Sequence, residues 1–354
     1  MDDPQIQQAL FIPAAILAFL WGLIWGSFFN VCIYRIPMKK SVVHPGSHCY
    51  SCGVPVKWYD NIPVISYLML GGNCRHCGTH FSSRYLFVEL FTGLMFLAVF
   101  LVFGLQWQTP FQMVFVAFLI VGTFTDIDHF IIPDRITIGG TIFAIITTGI
   151  LGLHSFMAQE ITFTREFLHQ FSFDYSSDRV PQTIHWYTPL LYSLIGAAFG
   201  YGLLWCIGLM GRLLFRKEAM GMGDVKLFAF LGAWMGPLNC VWILFLSAFV
   251  GALLGISLLI AHRLVGKDEY ETLTLPDTPT VKSRWLIAKS QLAATASESP
   301  AAASAPVELS IPRRTSRQLH HFPYGPYIAL AAVIVLLFHQ QIHRIVLQFL
   351  NVGF

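Results

Sequence analysis

Two short stretches of this chain place carboxylates where a carboxylate is costly. "TDIDHFIIPD" (125 to 134) holds Asp126, Asp128 and Asp134, and "GMGDVK" (221 to 226) holds Asp224 between two long apolar runs. Acids inside or at the rim of an apolar segment are expensive to bury, so by default they mark function. Two carboxylates brought to one water molecule cannot both ionise cheaply; one keeps a proton and the other becomes a base that activates the water. That is the chemistry of an aspartic protease, and Asp126 and Asp224 are the candidate pair. Gly221 and Gly223 let the backbone beside Asp224 approach a substrate or take a positive φ. Asp224 is expected to open a helix, where N–H groups favour an anion, and Asp126 to lie near a helix C-terminus, which suits the proton holder. Helix capping at a membrane boundary is the plainer reading of all four acids, and it weighs most for Asp128 and Asp134. Lys226 lies two residues beyond Asp224 and does not face it on a helix, so it reads as a snorkelling lysine or a contact for substrate.

A second cluster is built from thiols. Cys49-Tyr-Ser-Cys52 and Cys74-Arg-His-Cys77 are paired CxxC turns, and two such turns close a tetrahedral sulfur shell that suits zinc. Reduced, unligated thiols or a redox pair are the competing uses, and His76 and His80 are near enough in sequence to substitute as ligands. A closed four-sulfur site has no open position, so its metal would hold the fold and would not polarise a substrate. Cys32, Cys206 and Cys240 fall in apolar runs and read as small buried residues. His129, His185 and His262 lack the i, i+4 spacing of a helix-borne metal site and read as interfacial polar residues.

The elements that must position these groups are membrane helices. Of 354 residues, 55% are hydrophobic and only 12% charged, with a mean hydropathy of +0.61, too apolar for a chain that coats itself in polar surface. Runs at 11 to 33, 86 to 104, 111 to 125, 135 to 154, 188 to 211, 225 to 238, 240 to 261 and 325 to 348 predict an all-α polytopic membrane protein with about eight transmembrane helices. An even number of crossings puts both termini on one side. Arg35, Lys39, Lys40, Lys57, Arg75 and Arg84 crowd the segment after the first run, which the positive-inside rule assigns to the cytoplasm. The termini then face outward, and both acidic motifs lie at the cytoplasmic face. The first run lacks a basic front flank and a small-residue cleavage pattern, so it is expected to be a retained anchor.

The predicted organisation is a first transmembrane helix (1 to 33), a small cytoplasmic zinc-ribbon-like domain (34 to 85) and a membrane core (86 to 263) with an outward loop at 155 to 187. A cytoplasmic low-complexity linker (264 to 322) and a last transmembrane helix (323 to 354) follow. The linker contains "SQLAATASESPAAASAP", which buries too little apolar surface to offset ordering entropy. No internal repeat is expected.

Jointly, "GSFFNVCIYRIP" (26 to 37), the doubled CxxC, "WYDNIPVISYL" (58 to 68), "SRYLFVELFTG" (83 to 93), "TDIDHFIIPD", "GMGDVKLFAFLGAWMG" (221 to 236) and "PYGPYIALAA" (323 to 332) span nearly the whole chain. This set resembles the type IV prepilin peptidases, within the GxGD class of membrane aspartic proteases. The resemblance implies that Asp126 and Asp224 are the catalytic pair. It implies cleavage of the basic leader of prepilins and type II secretion pseudopilins after a glycine, in the bacterial inner membrane. It also implies S-adenosylmethionine-dependent methylation of the new N-terminal amine, usually on Phe. No glycine-rich dinucleotide-style turn marks a methyl-donor site; the region 34 to 85 is the candidate, with Gly72 and Glu89 as candidate residues whose plainer roles are turn geometry and helix packing.

The expected partners are prepilins, pseudopilins and lipid, without nucleic acid; self-association is left open. Two readings compete. An ion or metal transporter would use the two Asp as carriers and place them near mid-membrane on broken helices. A non-catalytic scaffold built on the zinc domain would tolerate loss of either acid.

Overall fold

In lipid each backbone polar group must find its partner within the protein, which leaves the α-helix as the form for isolated apolar runs. The computed structural model describes residues 4 to 157, 187 to 216, 220 to 265 and 324 to 351. Its long helices are α1 (Pro4–Arg35), α3 (Arg84–Phe103), α4 (Thr109–His129), α5 (Asp134–Met157), α6 (Thr188–Phe215), α7 (Met222–Val265) and α8 (Gly325–Asn351). A short α2 (Ile65–Met69) and a 3-10 turn (Trp58–Asn61) belong to the cysteine region. Among the described residues there is no strand, only two isolated antiparallel bridges, His48 with Pro55 and Asn73 with His80. The expected linker falls almost wholly outside the described residues, as does most of the outward loop.

Among the described residues, six helices are long and apolar enough to cross a bilayer. One of the six, α7, is two helices joined at a break, and α8 adds a shorter apolar stretch, Gly325–Phe338. Gly236 breaks α7 with φ 84 and ψ 169, directly before Pro237. In a straight helix Gly232 and Cys240 would stand about 12 Å apart along the axis. Instead, a Cβ on Gly232 would lie 3.3 Å from Cys240 Sγ, so the second arm folds back on the first. Ser247 on the returning arm is thereby carried to the end where Asp224 begins the outgoing arm.

Between membrane helices close packing replaces the hydrophobic drive, and small residues permit it. A Cβ on Gly200 of α6 would come 2.1 Å from Phe228 O, and one on Gly232 2.0 Å from Gly196 O. Ser193 Oγ adds a bond to Ala233 O at 2.8 Å. On α1, Gly22 and Gly26 lie against Gly93 and Glu89 of α3 with the same lack of room. The centre of the bundle is aromatic: Phe115 and Phe143 each stack on Trp234, with ring centroids 5.4 and 5.7 Å away. Trp234 Nε1 donates to Gln112 Oε1 at 2.9 Å, which keeps the indole N–H from being orphaned.

The cysteine region is tied to the bundle at the end that carries the acids. Asn30 Nδ2 of α1 donates to Tyr85 O, Arg35 donates to Ser41 O, and Glu89 of α3 accepts the Val64 N–H.

Candidate active site

Asp126 lies in the last turn of α4, which runs to His129, four residues beyond the predicted end of that span. The helix stops where Phe130 turns left-handed (φ 55) and returns its N–H to Asp126 O at 2.8 Å. The Asp126 side chain is buried, and its Oδ2 accepts the backbone N–H of Gly325, the first residue of α8, at 3.1 Å. Asp224 lies in the first turn of α7, its N–H bonded to Gly221 O at 3.2 Å. The two acids lie at the same end of the bundle, Asp126 bonded to the start of α8 and Asp224 in the first turn of α7. A Cβ on Gly325 would sit 2.6 Å from Asp126 Oδ2 and 2.9 Å from Ile132 Cδ1, while one on Gly223 would sit 3.3 Å from Ile132 Cβ. Ile132 therefore packs between Gly325, at the start of α8, and Gly223, beside Asp224.

Three details differ from the sequence-based expectation. Neither Gly221 nor Gly223 takes a positive φ; they serve by closeness, a Cβ on Gly221 falling 3.4 Å from Asp224 Oδ2. Asp126, although at a helix C-terminus, also faces the N-terminus of α8, so the helix-end argument does not separate the roles of the pair. Lys226 is engaged within the protein, its Nζ 2.5 Å from Asp134 Oδ1, which links the starts of α7 and α5. Asp128 pairs with Arg84 NH2 at 2.5 Å, and that guanidinium also lies over the Phe124 ring.

Tyr324, Gly325 and Ser247 were not singled out from sequence, although the "PYGPY" segment was in view. Ser247 Oγ and Tyr324 Oη are 2.8 Å apart. Burial pushes the Tyr324 phenol above its usual range; the Ser247 bond lowers it, and the nearby charge of Asp224 raises it further.

The four cysteines Cys49, Cys52, Cys74 and Cys77 converge, with all sulfurs within 4.8 Å of one another. Cys49 Sγ and Cys77 Sγ are 3.7 Å apart, against about 3.8 Å for two sulfurs of a tetrahedron with Zn–S near 2.3 Å. The donor set and spacing fit a tetrahedral metal. His76 and His80 are outside the group; His80 Nδ1 faces Asn73 Oδ1 at 3.2 Å. The Thr79 hydroxyl, with its backbone N–H, holds the Cys77 thiol down to about 6, and the Cys52 N–H lowers Cys49.

The two knuckles also repeat one another. Cys49 N–H bonds Val54 O and Gly53 N–H bonds Cys49 O; Cys74 N–H bonds Thr79 O and Gly78 N–H bonds Cys74 O. Gly53 (φ 70) and Gly78 (φ 69) close both turns in the left-handed region that suits glycine. A local repeat is therefore present, its sequence signal being CxxCG twice.

The two methyl-donor candidates sit apart in role. Gly72 (φ 71) is a turn residue onto which Tyr67 closes, 2.8 Å from the position of a Cβ. Glu89 is buried, and its Oε2 receives the Val64 N–H at 2.7 Å.

Residues 20 to 103 match the profile of the bacterial peptidase A24 N-terminal domain, and residues 177 to 256 that of the type IV leader peptidase family. The "TDIDHFIIPD" motif falls between the two matched stretches. A protein of Myxococcus xanthus named prepilin leader peptidase/N-methyltransferase is 30% identical over 347 residues, covering 94% of this chain and 92% of its own. One of Neisseria gonorrhoeae with the same name is 31% identical, covering 74% and 87%. A type 4 prepilin-like proteins leader peptide-processing enzyme of Escherichia coli is 36% identical, covering 64% and 80%. No solved structure matches significantly. Nothing here favours a transporter: the acids lie at helix ends, and these relatives carry the names of processing enzymes. With acids, knuckles and near full-length relatives in agreement, the chain belongs to the prepilin leader peptidase/N-methyltransferase family.

Proposed function

We propose that this chain is a membrane aspartic endopeptidase that removes the leader from type IV prepilins and pseudopilins after a glycine and then methylates the new N-terminus. The observation that supports the reading is that Asp126, at the end of α4, and Asp224, at the start of α7, lie at one end of the bundle, with Ile132 packed against both Gly325 and Gly223. One carboxylate takes a proton from water as its oxygen bonds to the glycine carbonyl carbon. The other, protonated, donates to the carbonyl oxygen; as the tetrahedral species collapses, the C–N bond breaks and the departing amine takes up the proton.

The helix ends that hold the acids also carry the basic segment after α1, which supports a cytoplasmic placement of the site. There an extended leader reaches the acids while the apolar helix of the substrate stays in lipid. Cys49, Cys52, Cys74 and Cys77 would hold a zinc ion, which when bound supplies structure to the segment 34 to 85 and no reaction chemistry. S-adenosylmethionine is the methyl donor in this reading, used by the cysteine region and the adjoining α3, with Gly72 and Glu89 as candidate contacts.

The test is a reconstituted assay on a prepilin with Asp126→Asn and Asp224→Asn made separately. Each is expected to lose cleavage, by about four orders of magnitude or to background. Wild-type rate in either variant would overturn the protease assignment. Transfer of labelled methyl from S-adenosylmethionine to the trimmed product decides the second activity.

A further inference from the structure

The start of the last helix is drawn into the acid pair by contacts that the reading above does not use. Of the first four N–H positions of α8, Pro326 has none, and those of Tyr327 and Ile328 both bond to Tyr324 O, at 3.1 and 3.3 Å. The Gly325 N–H is the one that the helix leaves over, and it is spent on Asp126 Oδ2 at 3.1 Å. Gly325 does not adopt a left-handed backbone. Its glycine identity is therefore a matter of space: a Cβ would stand 2.6 Å from that same carboxylate oxygen. The residue before it is fastened from another side, Tyr324 Oη to Ser247 Oγ at 2.8 Å, on the returning arm of α7. The outgoing arm carries Asp224, so the hairpin that presents one acid also anchors the segment that holds the other.

We infer that Tyr324 and Gly325 are positioning residues of the acid pair: the Gly325 N–H fixes the rotamer of Asp126, and the Tyr324–Ser247 bond fixes Gly325. The inference rests on the protease reading of Asp126 and Asp224. It predicts that a methyl group at position 325 turns the Asp126 carboxylate away without disturbing the backbone. The ionisable groups on elements packed here are Asp224 on α7, Tyr324 before α8, Asp128 and His129 on α4 itself, Arg84 of α3 paired with Asp128, and Asp134 of α5 engaged by Lys226.

The experiment uses the full chain in proteoliposomes with a prepilin substrate, comparing wild type, Gly325→Ala and Asp126→Asn. Gly325→Ala is expected to lower kcat about ten-fold or more, to leave KM within about two-fold, and to displace one limb of the pH–rate profile by about half a unit. If Asp126→Asn still cleaves, the underlying reading fails. If Asp126→Asn is inactive while Gly325→Ala keeps wild-type kcat and profile, the inference alone fails. Should Gly325→Ala not fold, Tyr324→Phe and Ser247→Ala decide. Each is expected to lower kcat about three-fold and shift the profile, with the double variant no worse than either single one. Unchanged kcat and profile in both overturns the inference.

Discussion

Glu89 Oε2 accepts the backbone N–H of Val64 at 2.7 Å, so a buried carboxylate on a membrane helix holds the cysteine region by its main chain. Val64 has φ 63 and ψ −53, a conformation that a β-branched residue avoids unless its surroundings impose it. The Glu89 backbone also packs against Gly26 of α1. Removing the acceptor leaves a part-buried N–H unsatisfied, at about 1–3 kcal/mol. Glu89→Ala is expected to speed limited proteolysis within residues 40 to 80, and Glu89→Gln, which keeps an acceptor, to restore the wild-type pattern. A Gln variant that is docked but loses methyl transfer would show that the carboxylate also has a chemical part.

The Lys226–Asp134 pair joins the starts of α7 and α5 at a partly exposed site, with side-chain exposures of 31% and 63%. Such a pair contributes about 0.2–1 kcal/mol to stability, so Lys226→Ala should move the melting temperature by no more than a few degrees. Its effect on cleavage should be larger in proportion, about two- to ten-fold in kcat, because it orients the turn that carries Asp224. The exchanged pair, Lys226→Asp with Asp134→Lys, is expected to recover part of that loss, read in the same assay.

Gly26 leaves no room on α1: a Cβ there would be 2.7 Å from Glu89 Cα. Gly26→Leu must push α1 from α3, an overpacking cost of about 1–3 kcal/mol or more. Thermal unfolding in detergent should fall accordingly, with loss of both activities. Gly255→Leu, where no atom lies within 4 Å of the added Cβ, should leave both intact.

The sulfur cluster predicts one metal per chain, lost as a unit. A strong chelator or Cys74→Ser should expose all the cluster thiols to labelling together, because each knuckle is ordered by the shared ion. Retention should weaken as pH falls, since binding requires thiolates and protons compete for them. Metal content and thiol counts against pH check this; release of thiols two at a time would contradict a four-sulfur site.

The place of the acids at helix ends, the four cysteines and the apolar helices were legible because each leaves a local trace: a charge beside an apolar run, a CxxC spacing, a run of spanning length. What stayed hidden depends on residues far apart in sequence. The bond from Gly325 to Asp126 joins positions 199 apart, and nothing in either motif names the other. The fold-back of α7 was read only as two adjacent runs, with the break placed near 239; its actual position at Gly236 follows from a backbone conformation that glycine takes easily. The knuckle repeat extends past the cysteines to the glycine after each, whose left-handed backbone closes the turn and is not visible in a CxxC spacing alone.

The Gly236 break has a consequence at the far rim of the bundle. One backbone conformation (φ 84) decides where the returning arm of α7 ends, so it also decides where Ser247 meets Tyr324 and, through Gly325, how the Asp126 carboxylate is held.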